Sequence, residues 1–314
     1  MAPSATIEVG GVVADKAQPS EEMELTPLQA ISHGDELPGI PSFPSFVAER
    51  RHQLVHMAAV FRFFARHGFT EGQSGHISVR DPEFPGLMWM NPLSRHFGML
   101  TAGDMLLLDI ESGRVVAGRG NPATGLRRTS NAAGFFIHRA VHRARPHDVH
   151  AVAHAHTMAG RAWAAFGRPL DMLTQDVCTL YKAHAVYAQY GGIVFADEEG
   201  ERIAAALAPA HKAAILLNHG LLTVGQTVDE AGFLFGLLDR SCAIQLQVEA
   251  AAAGSGGQLK KQIISDEEAA YNFRMASEAN ALYREAQPDV ELEIEAAGGE
   301  EALAKGFDQL VIEV

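Results

Sequence analysis

Apolar residues first recur at helical spacing over 54–65, where Leu54, Met57, Ala58, Phe61, Phe64 and Ala65 make one stripe and Gly68 follows as a stop. Order is therefore expected to begin near Phe46. Strand-like runs follow at 76–80, 87–90 and 105–110, and Glu111-Ser112-Gly113 predicts a turn into a short strand at 115–116. A second helix is expected from the N-cap Asn131, with Phe136, Ile137, Ala140 and Val141 inward and Pro146 ending it. Residues 149–156 read as a buried strand, 158–166 as a short helix and 199–207 as another. Two short strands, 213–217 and 221–224, flank Asn218-His219-Gly220. Thr227-Val228-Asp229-Glu230 has the capping-box pattern and opens a long helix to about 252. After the break Gly254-Ser255-Gly256-Gly257, a last helix is expected over 266–286, and 310–314 either adds a strand or stays loose. Strands and helices mix without strict alternation, which predicts an α/β fold with a mixed sheet.

Composition alters the picture mainly at the ends. Of the net charge of −13, residues 1–45 carry −6 and residues 287–314 carry −7, so 46–286 is neutral. The first 45 residues also hold six prolines and no apolar period. The division expected is a mobile arm at 1–45, in which the stretch 38–44 can lie extended against the domain, one domain at 46–286 and an acidic tail at 287–314, with both ends dispensable for folding. No basic face exists for a nucleic acid, and no apolar run is long enough to span a membrane. The acidic first 25 residues lack the apolar stretch of a secretory signal. Cys178 and Cys242 lack metal spacing and suit a reducing compartment, so a cytoplasmic location is expected.

Fifteen histidines need mostly ordinary explanations. His52, His56, His67, His142, His147 and His211 fall on expected helix surfaces or ends. His154 and His156 differ, because residues two apart on a strand project from one face and place two imidazoles side by side. His150 shares that face and competes with them. His219 lies between two apolar runs, and Gly220 suggests a bend that aims it inward; a turn with a solvated histidine fits the same residues.

Several stretches in combination resemble the class II aldolase/adducin family. They are 144–156, running from Ala144-Arg145-Pro146 to His154-Ala155-His156; 215–225 with Asn218-His219-Gly220; Gly75-His76-Ile77-Ser78-Val79-Arg80-Asp81; Met90-Asn91-Pro92; and 131–138. The likeness covers about residues 50–255. It implies a three-layer α/β/α fold around a mixed, largely antiparallel sheet. It further implies one divalent metal per chain on His154, His156 and His219, with Zn2+ first and Fe2+ or Mn2+ as alternatives. A homotetramer with sites near subunit interfaces is implied too, and Trp89, Phe97, Tyr187 and Tyr190 are candidate interface aromatics.

The chain also departs from that family. Its catalytic glutamate aligns with Gly134, or with Asn131 if the alignment shifts, and neither can shuttle a proton at neutral pH. The phosphate-binding asparagine is replaced by His76, and the phosphate loop by Pro92-Leu93-Ser94-Arg95. A non-phosphorylated carbonyl or carboxylate substrate is therefore expected, with His76, Ser94, Arg95 and Asn131 as binding residues and His96, Arg127 and Arg128 as further candidates. Asp176 and Tyr181, with His184 nearby, are the candidate replacements for the acid/base. The leading expectation is a metal-dependent lyase acting on a small hydroxy- or keto-acid. The alternatives are an iron(II) oxygenative decarboxylase of an arylpyruvate-type substrate and a non-enzymatic adducin-like module.

Overall fold

The computed structural model describes residues 25–120, 124–125, 128–192 and 197–312. Residues 1–24 of the expected arm and Arg127 lie outside these. The first described elements are α1 (Pro27–Ile31) and α2 (Phe46–Arg66). α2 begins where Ser45 Oγ accepts from the Ala48 amide, and it ends before Gly68, whose φ of 71° suits a residue without Cβ. β1 (His76–Arg80), β2 (Leu87–Met90), β3 (Leu106–Asp109) and β4 (Val115–Ala117) follow as an antiparallel meander. Then come α3 (Ala132–Ala144), β5 (Ala151–Ala155), α4 (Met158–Ala164), β6 (His184–Tyr187), α5 (Asp197–Leu207), β7 (Ala213–Leu216) and β8 (Gly220–Gly225). The chain closes with α6 (Val228–Gly254), α7 (Asp266–Ala276), α8 (Ala279–Ala296) and α9 (Glu300–Leu303).

The eight strands form one sheet in the order β4-β3-β2-β1-β5-β8-β7-β6, parallel only between β6 and β7. Alternation along the central strands divides the core in two. Ile77, Val79, Ala151, Ala153 and Ala155 pack with α2, α4, α6 and α8, while Val152, Leu222 and Val224 pack under α3 and α5. This is the three-layer α/β/α fold with a mixed, largely antiparallel sheet. No helix among the described residues is long and apolar enough to cross a membrane.

Three expectations change. The helix expected over 266–286 is two helices, α7 and α8, because Glu278 accepts from the Asn280 and Ala281 amides and starts a new one. α8 then runs through 287, so the acidic tail does not begin there: Val290, Leu303 and Ala304 join the main core. Its acids are partnered, since Glu293 pairs with Arg66 and Glu300 and Glu301 pair with Arg51 of α2. The 38–44 stretch of the arm lies against the domain, in line with its expected extended form, as the Ile40 amide donates to Asn280 Oδ1 at 3.0 Å. At α6 only half a capping box forms: Thr227 Oγ1 accepts from the Glu230 amide, but the Glu230 carboxylate turns to Lys212 and the Gln226 amide.

Aromatic and histidine placement differ too. Trp89, Phe97 and Tyr187 are core residues, and the Trp89 indole donates to Asp81 Oδ2 at 2.7 Å; of the four expected interface aromatics only Tyr190 is exposed. His56 and His142 are buried rather than on helix surfaces.

Because Leu303 is fully buried, Leu303→Ala should cost about 2–5 kcal/mol in urea unfolding. A change below about 0.5 kcal/mol, the usual surface range, would mean that this segment is not part of the core.

Candidate metal centre

Pairing of β5 with β8 sets Ala155 opposite Leu221 and His154 opposite Leu222. His154 and His156 share a face, and the β7–β8 turn delivers His219 to the same end of the sheet. The turn residue with left-handed backbone is Asn218, at φ 55°, and not Gly220. Gly220 serves another need: a Cβ there would stand 2.8 Å from the Ala155 carbonyl oxygen and 3.3 Å from the His156 ring. The glycine lets the two strands approach closely enough for the three rings to meet.

One ligand nitrogen from each of His154, His156 and His219 lies within 4.8 Å of the others, and the ring centroids are 4.8 to 5.1 Å apart. His154 Nδ1 is 2.8 Å from the Leu221 carbonyl, so it carries the proton and leaves Nε2 bare for an ion. Burial lowers the proton affinity of all three and brings His219 to about 4, which keeps the rings neutral, as ligands must be. The donor set fits a divalent ion with open positions.

The triad lies on the wall of a cavity of about 590 Å³ that is also lined by Ser74, His76, Asn131, Arg161 and Tyr190. The first turn of α3 opens onto it, with Asn131 Oδ1 capping the Gly134 amide. Among the described lining residues none is a carboxylate. At Gly134 the space a side chain would take is filled by the His76 ring, 2.4 Å from where a Cβ would stand.

Other candidates are dispersed. Ser94 and His96 line a smaller cavity beside the first, where Ser94 Oγ donates to Gln73 and His96 Nδ1 accepts from the Gly98 amide. Arg95 shares that cavity, but it and Arg128 both pair with Asp104, at 2.9 and 2.8 Å. Asp176 is exposed at the start of a 3₁₀ helix that packs against α7, and half-buried Tyr181 follows it; within one chain neither lines the metal cavity. His184 is occupied by the Leu180 carbonyl and the Leu170 amide. His150 lies in a separate cavity with His52 and Tyr283. Sequence reasoning missed Arg161, whose guanidinium binds Glu71 at 2.8 Å and the Thr157 carbonyl at 3.1 Å. Its place one turn into the helix after His156 was the available signal.

Residues 55–246 match the family model described as the Class II Aldolase and Adducin N-terminal domain. The chain belongs to this family. It is 37% identical over 82% of its length to the Meiotically up-regulated gene 14 protein of Schizosaccharomyces pombe, covering 98% of that protein. It is 43% identical over 67% of its length to a Streptomyces roseochromogenus subsp. oscitans protein named 4-hydroxy-3-prenylphenylpyruvate oxygenase/4-hydroxy-3-prenylbenzoate synthase, covering 73% of it. Among solved structures, the L-fuculose 1-phosphate aldolase from Glaciozyma antarctica PI12 superposes with a TM-score of 0.73 at 36% identity, over 84% of this chain and 96% of that one.

Burial also sets an acid limit. His52 and His219 are brought to about 4 and His142 to about 3, all by burial first. The unfolded chain, with histidines near 6.5, then binds more protons below that pH, so their stability contribution is complete above 6.5 and lost as pH falls toward the folded values. His56, raised by its ion pair with Asp229 against the opposing effect of burial, works the other way, but it is one group against several. Thermal midpoints of metal-free protein should fall steadily between pH 7 and 5; a flat profile there would contradict the buried neutral histidines.

Proposed function

We propose that the chain is a divalent-metal-dependent enzyme that breaks a carbon–carbon bond of a small, non-phosphorylated keto- or hydroxy-acid, with His154, His156 and His219 as the ligands. The observation that carries this reading is the meeting of three imidazole nitrogens on the wall of one cavity. An ion held there supplies Lewis-acid stabilisation of negative charge on a substrate oxygen, and Zn2+, Fe2+ and Mn2+ all suit the site.

The chain's own residues favour a carboxylate substrate. The positive end of α3 faces the cavity, and Arg161 is held in position by Glu71. Retro-aldol cleavage requires a base to take a hydroxyl proton before the bond breaks. Decarboxylation of a 3-keto acid requires no such step: the bonding electrons pass onto the keto oxygen as carbon dioxide leaves, and a proton is needed only afterwards. A cavity without a carboxylate among its described lining residues therefore suits decarboxylation better. Asp176 and Tyr181 would act only if another copy of the chain in a homotetramer brought them to the cleft.

A second reading, an iron(II) oxygenative decarboxylase of an arylpyruvate-type substrate, is favoured by the 43% identity to the Streptomyces relative, which is named as an oxygenase of 4-hydroxy-3-prenylphenylpyruvate. The third, an adducin-like module with no chemistry, has no use for the converging triad.

Elemental analysis should find one divalent ion per chain, and His219→Ala should lose it together with at least about 100-fold in turnover. Carbon dioxide release from small keto-acids without oxygen uptake supports the lyase. Stoichiometric oxygen uptake in an electrode assay moves the assignment to the oxygenase. Efficient, chelator-sensitive cleavage of fuculose 1-phosphate would overturn the expectation of an unphosphorylated substrate. For assembly, light scattering over a dilution series should show activity falling as the oligomer dissociates; a fully active monomer rejects a shared site.

A further inference from the structure

His76 and Ser78 of β1 face α3, and His138 and His142 of α3 face β1. Two strand residues advance about 6.6 Å and four helix residues about 6 Å, so the four side chains interleave in one row. His76 Nδ1 lies 2.7 Å from His138 Nε2, His138 Nδ1 lies 2.6 Å from Ser78 Oγ, and Ser78 Oγ lies 2.8 Å from His142 Nε2. All four residues are buried. Backbone fixes the far end of the row. The His142 ring donates to the Val149 carbonyl, and with Nε2 against Ser78 the nitrogen that donates is Nδ1. Arg80 Nη2 is committed to the His142 carbonyl at 2.7 Å and stands 3.5 Å from Nδ1.

We infer that this row presents His76 Nε2 to the metal cavity as a bare acceptor, in the space that a side chain at 134 would fill, where it accepts a hydrogen bond from the hydroxyl of a hydroxyl-bearing keto-acid substrate. Each link is one proton. With its proton on Nδ1, His142 offers a lone pair at Nε2, and the Ser78 hydroxyl donates to it. Ser78 Oγ then accepts from His138 Nδ1–H, which leaves His138 Nε2 bare, and His76 Nδ1–H donates to that nitrogen. The single proton of neutral His76 is thereby placed. Its Nε2 keeps a lone pair and has no hydrogen-bond partner among the described residues.

Burial keeps the rings neutral, with His142 at about 3 and His76 and His138 well below the ordinary value, so no link carries a second proton. His76 lines the cavity and stacks on His154 at 4.8 Å, yet it falls outside the group of histidines whose ligand nitrogens lie within 4.8 Å of one another. It stands beside the three ligands, facing whatever they hold. A Cβ at Gly134 would be 2.7 Å from Nε2, so the ring needs the glycine. The two polar groups then divide the substrate between them. Arg161 only donates and suits a carboxylate, whereas an imidazole lone pair suits an O–H and repels a bare oxygen. A site that hydrogen-bonds a hydroxyl discriminates against the analogue without one. Ser78, His138 and His142 are positioning residues, and His76 is the residue that meets the substrate.

The inference rests on the metal reading of the triad for its substrate, and the experiment separates the two. Protein labelled with 15N-histidine, both metal-free and loaded with Zn2+, is examined at pH 7 by two-bond 1H–15N spectra. His76 is expected as the Nδ1–H tautomer with an uncoordinated Nε2 in both. Ser78→Ala should turn it into a mixture of tautomers, and Ser78→Thr, which keeps the hydroxyl, should restore it. Zn2+-loaded protein should bind 4-hydroxy-2-oxobutanoate roughly fivefold more tightly than 2-oxobutanoate, which lacks only the hydroxyl, the effect of one net hydrogen bond. His76→Phe should abolish that preference while one Zn2+ per chain is retained. An Nε2–H tautomer at His76, coordination of Zn2+ by His76, a spectrum unmoved by Ser78→Ala, or equal binding of the two acids overturns the inference. If wild-type protein takes up no Zn2+, the metal reading fails, and the metal-free spectra still decide whether Nε2 is bare.

Discussion

The contact between β5 and β8 governs the site. Antiparallel pairing fixes which residues face each other, and a slip of one residue would turn His154 and His156 to the opposite layer. The pairing stays tight at its end only because position 220 has no side chain to meet the Ala155 carbonyl. Given that register, the short β7–β8 turn has little freedom, and His219 arrives beside the two strand histidines without support from a loop. The potential ligands therefore stand on or directly beside two inner strands, at one end of the sheet.

The surrounding layers serve this arrangement in different ways. On one side α2, α4, α6 and α8 cover Ala151, Ala153 and Ala155 with a largely apolar core, which also buries the His56–Asp229 pair. On the other side the β1 face beneath α3 is polar, and His76, Ser78, His138 and His142 are buried there with partners in one row. A buried polar row of this kind specifies how α3 sits on β1 and so where the start of α3 meets the cavity. Gly134 and His76 are two halves of one arrangement, since the ring occupies the volume that a side chain at 134 would claim.

Charge is distributed by the same logic. The acids near the C-terminus are spread in the sequence as if they formed a solvated tail, yet Glu293, Glu300 and Glu301 meet arginines on α2 while Val290 and Leu303 enter the core. Local net charge was a poor guide because the partners lie more than 200 residues away.

Much was legible from the sequence alone. Strand alternation, the caps at Asn131 and Thr227 and the stop at Gly68 located β1, β2, α2, α3 and α6, because these signals depend on neighbours within a few residues. The pair His154 and His156 was equally visible, since period two is a local property. Tertiary structure alone decided the rest. It set the pairing that brings His219 to that pair, the burial of His56, His142 and Trp89, and the capture of Arg95 and Arg128 by Asp104. It also left Asp176 and Tyr181 outside the cavity of their own chain and brought Arg161 to its wall. Each of these depends on contacts between residues remote in the chain, which no local pattern encodes.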